Sequence, residues 1–206
     1  MEYVLLGWPE AGPTLTLDWR AFSYAGKFVM SNTGKAIVRS GEADGPPVAD
    51  DGEAAADVVA AAAFNEDRTD AGTCWIRYIT VREDRRGEGT GPDLAAFVAA
   101  RARERGYDRA RIAVNNPFAY QALYRAGFAF TGEETGVAEL VLDRPLDTTD
   151  AEVAPGDRSR ATYQAGLDVY RDRAETADGP DLSADERAFL AEKADVDPPT
   201  PVDPPE

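Results

Sequence analysis

The sequence contains no histidine. Serine–histidine and cysteine–histidine nucleophile pairs are therefore excluded, and with them the commonest side-chain ligand for a transition metal. A single cysteine, Cys74, leaves no partner for an internal disulfide and rules out a CxxC or cysteine-rich zinc site. Carboxylates alone would have to hold a metal, and calcium-loop spacing is absent, so no metal is expected. Positive charge is scarce as well. Only three lysines (Lys27, Lys35, Lys193) stand among 206 residues, and 22 basic residues face 38 acidic ones, for a net charge of −16. Such a surface repels phosphates and anionic headgroups, so neither nucleic acid nor membrane is expected as a partner. No apolar run is long enough to span a bilayer, and Met1-Glu2-Tyr3 does not open a secretory signal, so a cytoplasmic location is expected. Molar salt screens charge over roughly 3 Å, which favours a halophile's high-salt cytosol over a merely soluble acidic protein.

What is present is enough apolar material for a core: 43% of residues are hydrophobic. The charge is uneven. Residues 147–206 carry 16 acidic and 6 basic residues, whereas residues 1–146 carry 22 and 16. This shift coincides with a Pro/Asp/Gly stretch and reads as a boundary. The expected organisation is one α/β domain over 1–146, a linker over 147–157, an acidic helical extension over 158–194 and a disordered Pro/Asp tail over 195–206.

Local patterns predict the elements. Tyr3 to Gly7 reads as a strand, and Thr14 to Leu17 as another. Asp18 would cap a short helix through Tyr24. Lys27 to Met30 and Ala36 to Val38 would be strands around a Ser31–Gly34 turn. Gly41 to Gly52 is a loop. Val58 to Phe64 is continuously apolar, which suits a buried strand, although its alanines leave a helix open. It would pair with Trp75 to Val81 as a hairpin. Leu94, Phe97, Val98 and Ala102 then recur at helical spacing, with Gly106 as the stop. Ala110 to Val114 is a strand, Phe118 to Arg125 a helix, and Phe128 to Thr131 with Val137 to Leu142 a terminal hairpin. Strand–helix–strand makes strands 75–81 and 110–114 parallel. In the extension, Tyr163, Leu167 and Tyr170 form one stripe of a helix over 159–173, and Ser183-Ala-Asp-Glu186 is a capping box opening a second. The stripe, together with Phe189 and Leu190, would serve either as a homodimer contact or as a pad against its own domain.

The chemistry centres on Arg86-Gly87-Glu88-Gly89-Thr90-Gly91, between a strand and a helix start. Glycines let the backbone approach an anion, and the helix adds unpaired N–H groups and its positive dipole end. A P-loop would need Gly-Lys-Ser/Thr, which is missing, and a dinucleotide fingerprint would need glycine where Pro92 stands. Arg86, Gly89 and Gly91 instead fit Arg-x-x-Gly-x-Gly. Downstream, Asn116-Pro-Phe-Ala119 is followed by Ala126-Gly127-Phe128. Taken with the order of elements over 57–146, these motifs resemble the Gcn5-related N-acetyltransferase superfamily, and the acidity resembles a haloarchaeal member. The resemblance implies a mixed α/β acyl-CoA N-acyltransferase fold, a central sheet with helices on both faces, and acetyl transfer from acetyl-CoA to an amine. The acceptor is open among a small metabolite, an antibiotic-like amine and a protein amine. A CoA-binding or protein-interaction module without turnover is the alternative.

Carried onto this sequence, the resemblance implies that the backbone of Arg86, Gly87, Glu88, Gly89, Thr90 and Gly91 binds the CoA pyrophosphate. The main chain of Ile79, Thr80 and Val81 would pair with the pantetheine arm where the parallel strands splay, and Asn116 would bond that arm. Side-chain charge over 82–91 sums to zero (Arg82, Arg85 and Arg86 against Glu83, Asp84 and Glu88), so directed backbone donors must bind the anion. The chain departs from the family at its acid and base. The position of the usual tyrosine holds Leu123, which leaves Tyr124 or Tyr120 as thiolate acid, or water. Strand 75–81 has no carboxylate, which leaves Glu66 or Asp67 in the hairpin connection, Glu83, or no base at all. Lys27 and Lys35 are candidate anion contacts, and the tryptophans a candidate acceptor pocket, beside plainer surface and packing roles.

Overall fold

The computed structural model describes residues 1–41, 56–146, 158–175 and 182–206. The linker expected over 147–157 and the loop expected from residue 42 onward lie outside the described residues. Seven strands form one sheet: β1 (Glu2–Gly7), β2 (Gly34–Arg39), β3 (Val58–Glu66), β4 (Thr73–Val81), β5 (Arg109–Val114), β6 (Ala129–Glu134) and β7 (Leu140–Pro145), in the order β1-β2-β3-β4-β5-β7-β6. Among the described residues only β4 and β5 pair in parallel. Helix α1 (Thr90–Glu104) makes their crossover, and α2 (Pro117–Arg125) joins β5 to the terminal hairpin.

The alanine run of β3 is a strand because both of its faces are buried. Ala60, Ala62 and Phe64 pack with Leu94 and Val98 of α1, while Ala61 and Ala63 pack with Leu15, Phe22 and Phe28. A strand covered on both sides reads as an unbroken apolar run, and the tertiary cover overrides alanine's helical preference.

The N-terminal segment differs from expectation. Thr14 to Leu17 and Lys27 to Met30 are not strands, and Asp18 to Tyr24 is not a helix; a short 3-10 turn at Ala25–Lys27 is its regular part. Leu15 and Leu17 have strand spacing but no strand to pair with: the Leu15 N–H donates to Phe28 O across the segment itself. Leu15, Leu17, Phe22, Ala25 and Phe28 bury at successive intervals of 2, 5, 3 and 3 residues, which keep neither a strand nor a helix period. One face of the sheet at β2 and β3 is thus covered by irregular chain rather than by a helix.

The extension forms α3 (Arg160–Glu175) and α4 (Ala184–Glu192), the latter opened by the Ser183–Glu186 capping box. The stripe Tyr163, Leu167 and Tyr170 is buried against Tyr120, Tyr124 and Phe130 of the chain's own domain. Arg158 fastens the junction. Its guanidinium donates to Tyr124 O (2.8 Å), Phe128 O (2.6 Å) and Pro199 O (2.9 Å). Residues 195–206, expected as a disordered tail, contain no helix or strand, yet Val202 N–H donates to Arg125 O at 2.7 Å and Gln164 donates to Val196 O at 2.7 Å.

Candidate functional site

Register creates the site. β4 and β5 pair from Thr73↔Arg109 to Ile76↔Ile112 and no further, while β4 runs on to Val81 and stays bonded to β3 through Ala60↔Val81. The edge of Ile79–Val81 that would face β5 is therefore left without a strand partner. A bulge at Arg77, whose guanidinium donates to Asn65 Oδ1 (2.7 Å), accompanies the divergence. The opening is a cleft of about 770 Å³, within the size range of cofactor sites.

At one end of the cleft lies the glycine loop. Gly87 (φ +86°) and Gly89 (φ +91°) occupy the left-handed region, and a Cβ on either would meet open space rather than protein. Gly89 is the N-cap of α1, and Asp93 N–H donates to its carbonyl (3.3 Å). Pro92 has no N–H, so the unpaired donors of the first turn are those of Thr90 and Gly91. The arginines here are occupied. Arg85 pairs with Glu88 (2.9 Å), and Arg86 donates to Val81 O (3.3 Å) and Ser23 Oγ (3.1 Å) beside Glu83.

At the other end stands Asn116, the N-cap of α2. Its Oδ1 accepts from Ala119 N–H at 2.9 Å and its Nδ2 donates to Asn115. Ile79, Thr80, Val81, Arg86, Gly87, Gly89, Thr90, Gly91 and Asn116 all line the one cleft; Glu88 is not among its lining residues and pairs with Arg85. Two of its lining residues carry buried oxygens with no hydrogen-bond partner among the described residues, Thr80 Oγ1 and Gln121 Oε1. Ser23, Arg85, Phe118, Arg125 and Phe189 complete walls that sequence reasoning did not assign. The signal for α2 was available: Phe118, Gln121 and Arg125 fall at i, i+3 and i+7. Phe189, in the extension, carries no local signal.

The expected acids and base lie elsewhere. Tyr120 is fully buried, and its hydroxyl donates to Tyr163 O at 3.1 Å. Burial, followed by the neighbouring Tyr124, pushes its phenol far above the ordinary value. Tyr124 is also fully buried, and its hydroxyl accepts from Phe130 N–H at 3.0 Å. The extension covers both rings, which removes them as acids; Leu123 is the residue that reaches the cleft. Glu66 pairs with Cys74 at the opposite end of β4, about 17 Å along the strand from Ile79, and is exposed. That distance corrects it as a base. No carboxylate is among the described residues lining the cleft. Lys35 is buried elsewhere and donates to Met30 O and Thr33 O, and burial lowers its pKa to about 8. Trp75 is held between Arg77 and Arg111, and Trp8 against Phe64 and Tyr107, so both are packing residues.

Among solved structures, the chain is similar to a Bacillus subtilis acetyltransferase in complex with CoA (15% identity, 55% of this chain and 76% of that one, TM-score 0.42). It is also similar to nourseothricin acetyltransferase (18% identity, 71% and 98%, TM-score 0.44) and to the ribosomal-protein-S18-alanine N-acetyltransferase of Escherichia coli (14% identity, 59% and 74%, TM-score 0.40). No curated protein matches. Among the described residues no helix is long and apolar enough to cross a membrane, and no cluster of three potential metal ligands occurs. Residues 9–128, more than half of the chain, match the model of the acetyltransferase (GNAT) family, and the chain belongs to that family and has its mixed α/β fold.

Proposed function

We propose that the cleft holds acetyl-CoA and that the protein transfers the acetyl group to a primary amine, in a high-salt cytosol of the haloarchaeal kind. The observation that carries this reading is the splay of β4 from β5, with the glycine loop at one end and Asn116 at the other. The Thr90 and Gly91 N–H groups and the turn through Gly87 and Gly89 suit a pyrophosphate. The open edge of Ile79–Val81 suits the amides of the pantetheine arm as an added strand. The orphaned oxygens of Thr80 and Gln121 are polar groups that a ligand in the cleft would satisfy.

Acetyl-CoA supplies a thioester carbonyl open to attack by a neutral amine. The chain's part is to orient and to exclude water: Leu123, Ala119 and Ala122 make an apolar wall, and Asn116 presents its amide beside them. Water handles the protons, since no carboxylate lines the cleft among the described residues and a thiol has a pKa near 8.5. The same lack favours the second reading, a CoA-binding module without turnover. The stripe that suggested a homodimer is used up by the chain's own domain.

Calorimetry with CoA, and thiol release from acetyl-CoA with a panel of amines in molar KCl, separate these readings. Tight binding without thiol release selects the module; no binding rejects both. Gly89→Val should abolish CoA binding, because valine cannot hold φ +91° without strain, whereas Glu88→Gln should leave it within about twofold. Wild-type affinity in the valine variant would sink the loop assignment.

A further inference from the structure

At the far end of α1 lies a second cavity, of about 390 Å³. It opens between the last turns of α1, the end of β7 and Pro204. Arg103 on its wall is about 18 Å along the helix axis from Gly91, so the cavity is separate from the cleft. Ala100, Pro145 and Leu146 give it apolar walls, and two arginines, Arg103 and Arg144, line it as well. Residues 9–128 of the family match include neither β7 nor Pro204. In a chain with a surplus of 16 acidic residues, neither arginine makes an ion pair among the described residues. Arg39 and Arg111, likewise withdrawn from water, each have an aspartate, Asp57 and Asp143. Arg144 has five N–H donors, and one of them meets an acceptor among the described residues, Ala126 O at 2.6 Å. Its Nε edge lies against Gly127, where a Cβ would come within 3.2 Å. The carbonyl end of α2 favours this cation but does not neutralise it. Burial first, then the neighbouring Arg158, hold its pKa below the ordinary arginine value. Arg158 brings no anion either, since its donors go to backbone carbonyls.

We propose that this second cavity binds a small monocarboxylate with a short apolar body: the carboxylate bridges Arg103 and Arg144, and the hydrocarbon part lies on Ala100, Pro145 and Leu146. Guanidinium and carboxylate match in shape and charge, and such bonds are the strong ones. The ligand supplies the anion that the half-buried Arg144 lacks, and the apolar walls add the burial of its carbons. Charge on the rim limits the ligand to one negative charge. Glu104 also lines the cavity, its carboxylate held by Arg101 at 2.8 and 3.0 Å, and it would oppose a phosphate dianion. A bare chloride would leave the apolar walls wet. The site stands whether or not the cleft holds CoA, because no residue is shared between the two.

The test follows the thermal unfolding midpoint of the full chain as potassium isovalerate replaces KCl at constant ionic strength. Isovaleramide, its uncharged isostere, and methyl phosphate serve as the comparison probes. A ligand that binds the folded chain alone raises the midpoint along a saturating curve, whereas a general salt effect rises without saturating. Isovalerate should saturate and isovaleramide should do nothing. Arg103→Gln, at an exposed helix position, should raise the half-saturating concentration about tenfold, the scale of one charge-assisted hydrogen bond. Ala100→Phe, which fills the cavity from its wall, should remove the saturating response. An unsaturating rise shared by the wild type and both variants overturns the site, as does an Arg103→Gln curve that matches the wild type. An equal response to isovaleramide overturns the role of the arginines. Tighter binding of methyl phosphate than of isovalerate overturns the carboxylate as the ligand class.

Discussion

Cys74 shows how burial sets chemistry at a single residue. It is the second residue of β4, with no solvent exposure, and desolvation first of all pushes its thiol up to about 12. A thiol held protonated is a small hydrophobe, not a nucleophile. The shift also ties stability to pH. An unfolded thiol titrates near 9, so above that pH the unfolded chain releases a proton that the folded chain keeps. The stabilisation is therefore complete below pH 9 and is lost as pH rises towards 12, by about 3 kcal/mol at pH 11. Cys74→Ala should cost about 1 kcal/mol of packing at pH 8, where the thiol is neutral in both states. At pH 11 the order should reverse, with the alanine variant the more stable in urea unfolding. Tyr107, whose phenol is raised first by burial and then by the charge on Cys74, loses that second contribution in the variant, which works in the same direction. An identical difference at the two pH values would refute the argument.

Among the elements, the docking of α3 on α2 decides what the extension does. Gly166 sits where Tyr120 passes, and a Cβ there would overlap the phenol ring and hydroxyl. Alanine would gain about 1 kcal/mol of helix propensity but cost about 1–3 kcal/mol in overpacking, and Tyr120 cannot yield while bonded to Tyr163 O. The steric loss should win: Gly166→Ala lowers stability, yet raises it in a Tyr120→Leu background, a sign change that urea titration of the four proteins reads directly. Both helices of the extension were legible in the sequence, because a capping box and a tyrosine stripe are local. Their resting place was not, since nothing within 158–194 names α2 as partner. This explains the misplaced acids. Counting round α2 finds the face that holds Tyr120 and Tyr124, but a segment 40 residues away covers that face. The glycine loop was legible for the opposite reason: positive φ, unpaired helix N–H groups and neutral side-chain charge are all settled within ten residues. Phe189 and the orphaned Gln121 oxygen needed the tertiary structure.

For the whole molecule, the question is how a chain of net charge −16 stays folded and, on the proposed reading, admits a polyanion. Some of its arginines are spent locally: Arg85–Glu88, Arg101–Glu104 and Arg171–Asp168 are all i, i+3 pairs. Each is worth only about 0.3–0.5 kcal/mol, and none reduces the surplus of carboxylates. That surplus repels itself over about 10 Å at 0.1 M salt and over about 3 Å at 1 M. Directed N–H groups at the loop survive such screening, while the long-range repulsion of an approaching pyrophosphate does not. The fold should therefore gain stability as KCl rises from 0.1 to 2 M. Generic strengthening of apolar burial by salt would give the same trend, so charge must be varied separately. Asp185, Asp197 and Asp203 are exposed and make no ion pair among the described residues. Replacing the three with asparagine should raise stability at 0.1 M and shrink the gain at 2 M. A triple variant with the full wild-type gain would assign the salt effect to burial and remove the case for a high-salt cytosol.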